Sequence, residues 1–181
     1  SSPHPVEACK VLQISAVKAE SFLISYKMTI SVSFSKLLNF KAPPSVKYSR
    51  LFSSKQFFGE DSFIYVNPFQ FALTRENVFK SKDRTLPVEF SNLVEENYIC
   101  SMSVPKGYAV VSLPKNQSFA IDEQNSLTFE IRCSEAAGQV SVRSKLKINK
   151  STFPVDEYPA LKETLDFVVN RHNEQIVFKK L

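Results

Sequence analysis

Leu127-Thr128-Phe129-Glu130-Ile131-Arg132-Cys133 changes from apolar to polar and back at every residue. A period of two sets successive side chains on opposite faces of an extended chain, so this stretch is a strand with one dry and one wet face. Working outward, the same beat recurs in Tyr98, Cys100, Met102 and Val104, with Ser101 and Ser103 opposite. It recurs again in Val140–Val142 and Leu146–Ile148, interleaved with Ser141, Arg143, Lys145 and Lys147. Upstream, Tyr26, Met28, Ile30, Val32 and Phe34 alternate with Lys27, Thr29, Ser31 and Ser33. Shorter apolar runs at Phe63–Val66, Val88–Phe90, Ala109–Leu113 and Phe119–Ile121 are further strands. The stretch from Ser35 to Asp61 shows no clear period, and its details stay open.

Turn chemistry separates these runs at the spacing of a sandwich or barrel. Pro105-Lys106-Gly107, Pro114-Lys115-Asn116, Asp122-Glu123-Gln124-Asn125 and Ala136-Ala137-Gly138 all carry residues suited to tight turns. One segment breaks the period of two. Tyr158, Leu161, Leu165, Val168 and Val169 recur at three and four, which makes one stripe on a helix over about 157–173. Asp156 and Glu157 suit its start, and Pro159 is tolerated in a first turn. Arg171 and His172 suit its end, with Asn173 in the left-handed closing position. Ile176, Val177 and Phe178 then form a last short strand. The fold class expected is mostly β: an antiparallel, immunoglobulin-like β-sandwich over 26–181 with one C-terminal helix and a short final strand. Residues 1–25 form a poorly defined flank, and over about 1–12 Pro3 and Pro5 discourage regular structure.

The 181 residues are 43% hydrophobic and 23% charged, the balance of a globular domain. Only three glycines occur, at Gly59, Gly107 and Gly138, so glycine-rich phosphate loops are excluded. No apolar run reaches the roughly 18 residues that span a membrane as a helix. A net charge of +5 invites a nucleic-acid reading. The basic residues are scattered, however, and the densest groups, Lys80–Lys82–Arg84 and Arg143–Lys145–Lys147, are broken by an acid or lie on a wet strand face. No nucleic-acid partner is expected.

Candidate chemistry is sparse. Cys9, Cys100 and Cys133 have no metal-ligand spacing. Cys100 and Cys133 fall on the dry phase of their strands, as core thiols or, in an oxidising compartment, as a cross-strand pair. A nucleophilic thiol needs an imidazole in reach. Only His4 and His172 exist, and Cys9 with His172 is the remote pairing. The adjacent acids Glu60-Asp61, Glu95-Glu96 and Asp122-Glu123 abut turns, and neighbours on a strand point to opposite faces, so surface acids are expected. Asn116-Gln117-Ser118 and Asn149-Lys150-Ser151 are glycosylation sequons relevant in a eukaryotic secretory host. No catalytic, cofactor-binding or metal residue is assigned, and no cofactor is expected.

Gly59-Glu60-Asp61-Ser62-Phe63-Ile64-Tyr65-Val66-Asn67-Pro68-Phe69 resembles a segment of a bacterial transglutaminase-like family. Arg84-Thr85-Leu86-Pro87-Val88-Glu89-Phe90, Pro105-Lys106-Gly107-Tyr108-Ala109-Val110 with Leu113-Pro114, and Glu157-Tyr158-Pro159-Ala160-Leu161-Lys162 are similar to later segments in the same order. Glu174 through Lys180 resembles the family's end. The resemblance implies the β-rich C-terminal domain of a longer exported protein, whose papain-like core carries the catalytic Cys, His and Asp. None of those three maps onto a position here. The function so implied is a non-catalytic accessory domain, periplasmic or extracellular, that packs on or presents substrate to a transglutaminase-like core of the same polypeptide. The alternative is a stand-alone module binding peptide or glycan at a sheet edge or an aromatic face. An enzyme built on Cys9 is the third reading.

Overall fold

The structure, a computed structural model, describes residues 21–35, 45–57 and 63–181, with side chains described from residue 63 onward. Among these, β1 (Ser21–Ser35), β2 (Ser45–Phe57), β5 (Leu93–Ser103), β7 (Gln117–Ala120), β8 (Leu127–Ala136) and β9 (Gln139–Ile148) form one sheet in the order β2-β1-β5-β9-β8-β7. Every pairing in it is antiparallel. A three-stranded sheet places β11 (Ile176–Lys180) between β3 (Phe63–Val66) and β6 (Tyr108–Ser112). The two-residue strands β4 (Val88–Glu89) and β10 (Thr152–Phe153) pair separately. The fold is mostly β and antiparallel, with one C-terminal helix and a final strand, as the alternation implied.

Register aligns the dry phases. Met102, Cys100 and Tyr98 on β5 lie opposite Val140, Val142 and Ser144 on β9. Cys133, Ile131 and Phe129 on β8 lie opposite Val142, Ser144 and Leu146. The β8–β9 hairpin closes between Ala136 and Gln139, with positive φ at both Ala137 (49°) and Gly138 (72°). A two-residue hairpin turn demands that conformation, because it matches the strands' right-handed twist. A Cβ at Gly138 would meet nothing within 4 Å, so glycine serves its backbone angle there and not a close approach.

Helix α1 (Tyr158–His172) follows a short 3-10 turn, Val155–Glu157. It buries Tyr158, Leu161, Leu165, Val168 and His172. The four apolar ones, Tyr158, Leu161, Leu165 and Val168, join the inner residues of the large sheet and Ile64, Val66, Ile176 and Phe178 of the small one in a single core. Each such apolar side chain contributes roughly 1.5–3 kcal/mol by leaving water.

Two details of the helix differ from expectation. Val169 is only half-buried, and His172 takes the last place on the stripe because four residues after Val168 is the next position on that face. Asn173 closes the helix at φ −91°, ψ −5°, in the right-handed region, and its amide donates to Val169 O and Asn170 O. Between β3 and β4, residues 67–87 contain neither helix nor strand.

Candidate functional site

Three polar residues stand on dry phases otherwise filled by apolar ones: Glu96 on β5, Ser144 on β9 and His172 on α1. They are 4%, 3% and 3% exposed. A buried polar group is costly unless paired, and here each is paired. His172 Nδ1 lies 2.7 Å from Thr74 O, and Nε2 lies 2.8 Å from Ser144 Oγ. A carbonyl only accepts, so Nδ1 carries the proton, and in the neutral ring Nε2 accepts from the Ser144 hydroxyl. Glu96 completes the seam from the far side of Thr74. Its Oε1 accepts from the Leu73 amide at 2.8 Å, and its Oε2 accepts from the Thr74 hydroxyl at 3.0 Å.

Rings enclose the imidazole. Phe69 stacks on it at 4.8 Å, and Phe129 meets it edge-on at 5.8 Å. Burial holds the His172 pKa below the ordinary histidine value, opposed by the bond to Thr74 and the charge of Glu96. Ser, His and Glu are the residue types of a hydrolytic triad, and Ser144 does donate to His172 as a nucleophile would. Yet Nδ1–H is spent on a backbone carbonyl, and Ser144 is closed to solvent in mid-strand. What this arrangement does is hold the segment 67–74 against the sheet.

The rest of 67–87 is pinned in the same manner. Asn67 Nδ2 donates to His172 O at 3.1 Å, while its Oδ1 accepts from the Phe69 amide. Tyr98 Oη donates to Pro68 O at 2.6 Å. Asn77, itself buried, donates to Lys162 O and to Asp166 Oδ1, and accepts from the Phe79 amide. Tyr158 Oη donates to Ser81 O. Side chains of the core thus bind the backbone of an irregular strap, which satisfies groups that no ladder serves. Outward, the strap shows Leu73 (62% exposed), Val78 (76%) and Leu86 (69%), among the exposed basic residues Arg75, Lys80, Lys82 and Arg84.

The residues singled out from sequence fall as follows. His4, Cys9 and Glu60-Asp61 lie outside the described residues, so the pairing of Cys9 with His172 has no geometry. The expectation that His172 serves the helix dipole is corrected: its ring faces inward, since it lies on the buried stripe. Cys100 and Cys133 are free and buried. Both are register partners of Val142 from opposite sides, which sets them two strand spacings apart, about 9.6 Å. That exceeds the roughly 7 Å within which Cα atoms can be bridged, so a cross-strand disulfide is excluded here. Burial pushes both thiols up to about 12.

Glu95 and Glu96 point to opposite faces of β5, but they lie within the strand and only Glu95 reaches the wet side. Its carboxylate meets Lys145 at 2.9 Å and Lys147 at 3.1 Å. Asp122 is a turn acid, its Oδ1 accepting from the Ser126 amide at 2.7 Å. Asn116 and Asn149 of the two sequons are exposed. Asn116 Oδ1 accepts from the Cys133 amide, and Asn149 Nδ2 donates to Asn125 O. Of the densest basic groups, Lys145 and Lys147 are drawn to Glu95, while Lys80, Lys82 and Arg84 are exposed on the strap. Among the described residues no group of His, Cys, Asp or Glu is arranged to hold a metal ion, and no helix is long and apolar enough to cross a membrane.

A concave feature lies at the sheet's end. Gln117, Phe119, Ala120 and Ile121 face Ala160, Glu163, Thr164 and Phe167 across a groove of about 340 Å³. The Phe119 and Phe167 rings meet edge-on at 5.1 Å in it. Strand β7 is the last in its sheet.

These features define a class: an antiparallel β domain with a helix in its core and a pinned, apolar-faced strap. Residues 62–178 match the model of a family described as a domain of unknown function with a solved structure, DUF3858, and the chain belongs to that family. Among solved structures it is similar to "a putative protease from Parabacteroides distasonis ATCC 8503" at 11% identity and a TM-score of 0.55. That likeness is one of fold, and it covers 84% of this chain but 40% of the other. No match was found among curated proteins.

Proposed function

We propose that this chain is a non-catalytic accessory domain of an exported transglutaminase-like, cysteine-protease-like protein, where it packs on the catalytic core or presents substrate to it. The strap carries this reading. Irregular segments longer than about 12–15 residues are usually mobile or functional, and this one is fixed by directed hydrogen bonds while exposing Leu73, Val78 and Leu86. Apolar side chains held rigidly outward suit a docking face. The order of motifs from Gly59 to Lys180 supports the family context. So does the fold shared with part of a longer chain described as a putative protease.

The test is the full-length reading frame, expressed whole and with this domain deleted. We expect acyl-transfer or peptide hydrolysis from the whole protein that is lost or redirected on deletion, and no turnover from the 181 residues alone. Turnover by the isolated chain, or a reading frame without a core, overturns the proposal. Cell fractionation tests the periplasmic or extracellular location in the same strain.

The groove between β7 and α1 favours a second reading, a module that captures an extended peptide. An edge strand offers unpaired backbone groups, and Phe119 and Phe167 offer an apolar floor. Titration with extended peptides, followed by NMR, distinguishes the two: shifts confined to β7 and the groove-facing side of α1 support capture.

A further inference from the structure

We propose that His172 is a proton-operated latch: taking up a proton on Nε2 releases the strap at 67–74 from the sheet while the sheet stays folded. This stands independently of the domain's larger role. Several ties of the strap's first half meet at one place, beside the bond from Tyr98 Oη to Pro68 O. His172 Nδ1–H holds Thr74 O, His172 O receives Asn67 Nδ2, the Phe69 ring lies on the imidazole, and Glu96 takes the Leu73 amide and the Thr74 hydroxyl. No strand pairing joins residues 67–74 to either sheet. The sheet beneath has its own ladders, β5 with β9 and β8 with β9. Opening the strap therefore leaves those ladders made.

The groups facing the imidazole set the sign. From β5 come Glu96 and the Tyr98 phenol, which is committed to Pro68 O. From β9 comes Ser144, from β8 Phe129, and from the strap Thr74 and Phe69. Glu96 is the charge whose field reaches the ring. Ser144 can reverse its hydroxyl and accept from a protonated Nε2, so the obstacle to protonation is burial. An opened strap admits water to the ring and removes that obstacle. The open state thus binds the proton more tightly than the closed one. Below the ordinary histidine value of about 6.5, the opening equilibrium rises by up to tenfold per pH unit, until the closed state protonates as well.

Hydrogen exchange on the intact chain tests this between pH 8 and 5, with rates corrected for intrinsic pH dependence. We expect protection of the Phe69, Ala72 and Leu73 amides to fall about tenfold per unit below pH 6.5, with β8 and β9 amides unchanged. His172→Asn keeps a donor toward Thr74 O and should abolish the slope, whereas Glu96→Gln should retain it. Uniform loss of protection across strap and sheet, or a slope that survives His172→Asn and vanishes in Glu96→Gln, overturns the latch. If either variant fails to fold, the wild-type ring is read directly, since His4 and His172 are the two imidazoles present. His172 titrating at or above 6.5, with strap amides unmoved, is equally fatal to it.

Discussion

The dry face of the six-stranded sheet is held by two different kinds of force along its length. At the end near the β8–β9 turn, Met102, Cys100, Val140, Val142, Cys133 and Ile131 form an apolar layer held by burial. Further along β5 and β9 the layer turns polar at Glu96 and Ser144: Glu96 and, from α1, His172 bind the backbone of the strap, and Ser144 binds His172. Burial is undirected, so the first region positions its cover only by shape. Hydrogen bonds are directed, and the second region specifies which atoms of an irregular segment lie where. A chain segment without ladders of its own needs the second kind.

Phe129 stands at the boundary, buried on β8 against both Phe119 and His172. Phe129→Ala should produce the largest effect, about 3–5 kcal/mol of global stability in urea unfolding, through lost burial and a cavity. A much smaller loss would mean that the polar seam, not the apolar layer, holds the helix to the sheet. Next in size is Glu96→Ala, which leaves the Leu73 amide and the Thr74 hydroxyl without their acceptor. About 2–3 kcal/mol is expected, with hydrogen exchange locating most of it in the strap. A loss spread evenly over β5 and β9 would erase the distinction between the two regions.

The apolar layer was legible in the alternation of Leu127–Cys133 and of Tyr98–Val104, because burial follows period alone. The seam was not. Extending the β5 phase back from Tyr98 arrives at Glu96, and the phase through Val140 and Val142 arrives at Ser144. A polar residue on a dry phase was therefore the available signal, and reading Glu96 as a surface acid passed over it. His172 likewise continues the stripe from Val168, yet its place at a helix end offered a sufficient explanation in the dipole. The strap could not be read at all. Its conformation depends on partners far along the chain, such as Asn77 with Lys162 and Asp166, and no local period encodes them. Strand β2 was illegible for a simpler reason: at Arg50-Leu51-Phe52 the alternation breaks.

Ser144→Ala is a finer probe of the same contrast. It removes one oxygen and leaves Nε2 of a buried ring with no donor, at a cost of about 1–2 kcal/mol in urea unfolding. The comparison is with Cys133→Ala on the same face, which removes a sulfur without orphaning any group. If the two substitutions shift local exchange in the strap equally, the seam acts by filling space and not by direction. If only Ser144→Ala shifts it, direction is what the serine supplies.

The smallest effect belongs to the wet face, where Glu95 bridges Lys145 and Lys147 and accepts from Asn97 Nδ2 at 3.0 Å. Partial burial alone would raise its pKa, but hydrogen bonds from Lys145, Asn97 and Lys147 outweigh it and hold the carboxyl at about 2, below its ordinary 4.5. A depressed folded value means that the folded state favours the carboxylate. The contribution is fully present above pH 4.5 and is lost as pH falls toward 2. Because the cluster is about a third exposed, screening limits it to roughly 0.5–1 kcal/mol. Glu95→Gln should flatten the acid limb of the stability curve between pH 4.5 and 2 by that amount, and added salt should shrink the difference. The histidine slope lies above this window and the carboxylate slope within it, so one pH series on one protein separates the buried seam from the solvated face. An acid limb unchanged in Glu95→Gln would assign that limb to other carboxylates and leave the wet face without a measurable share in stability.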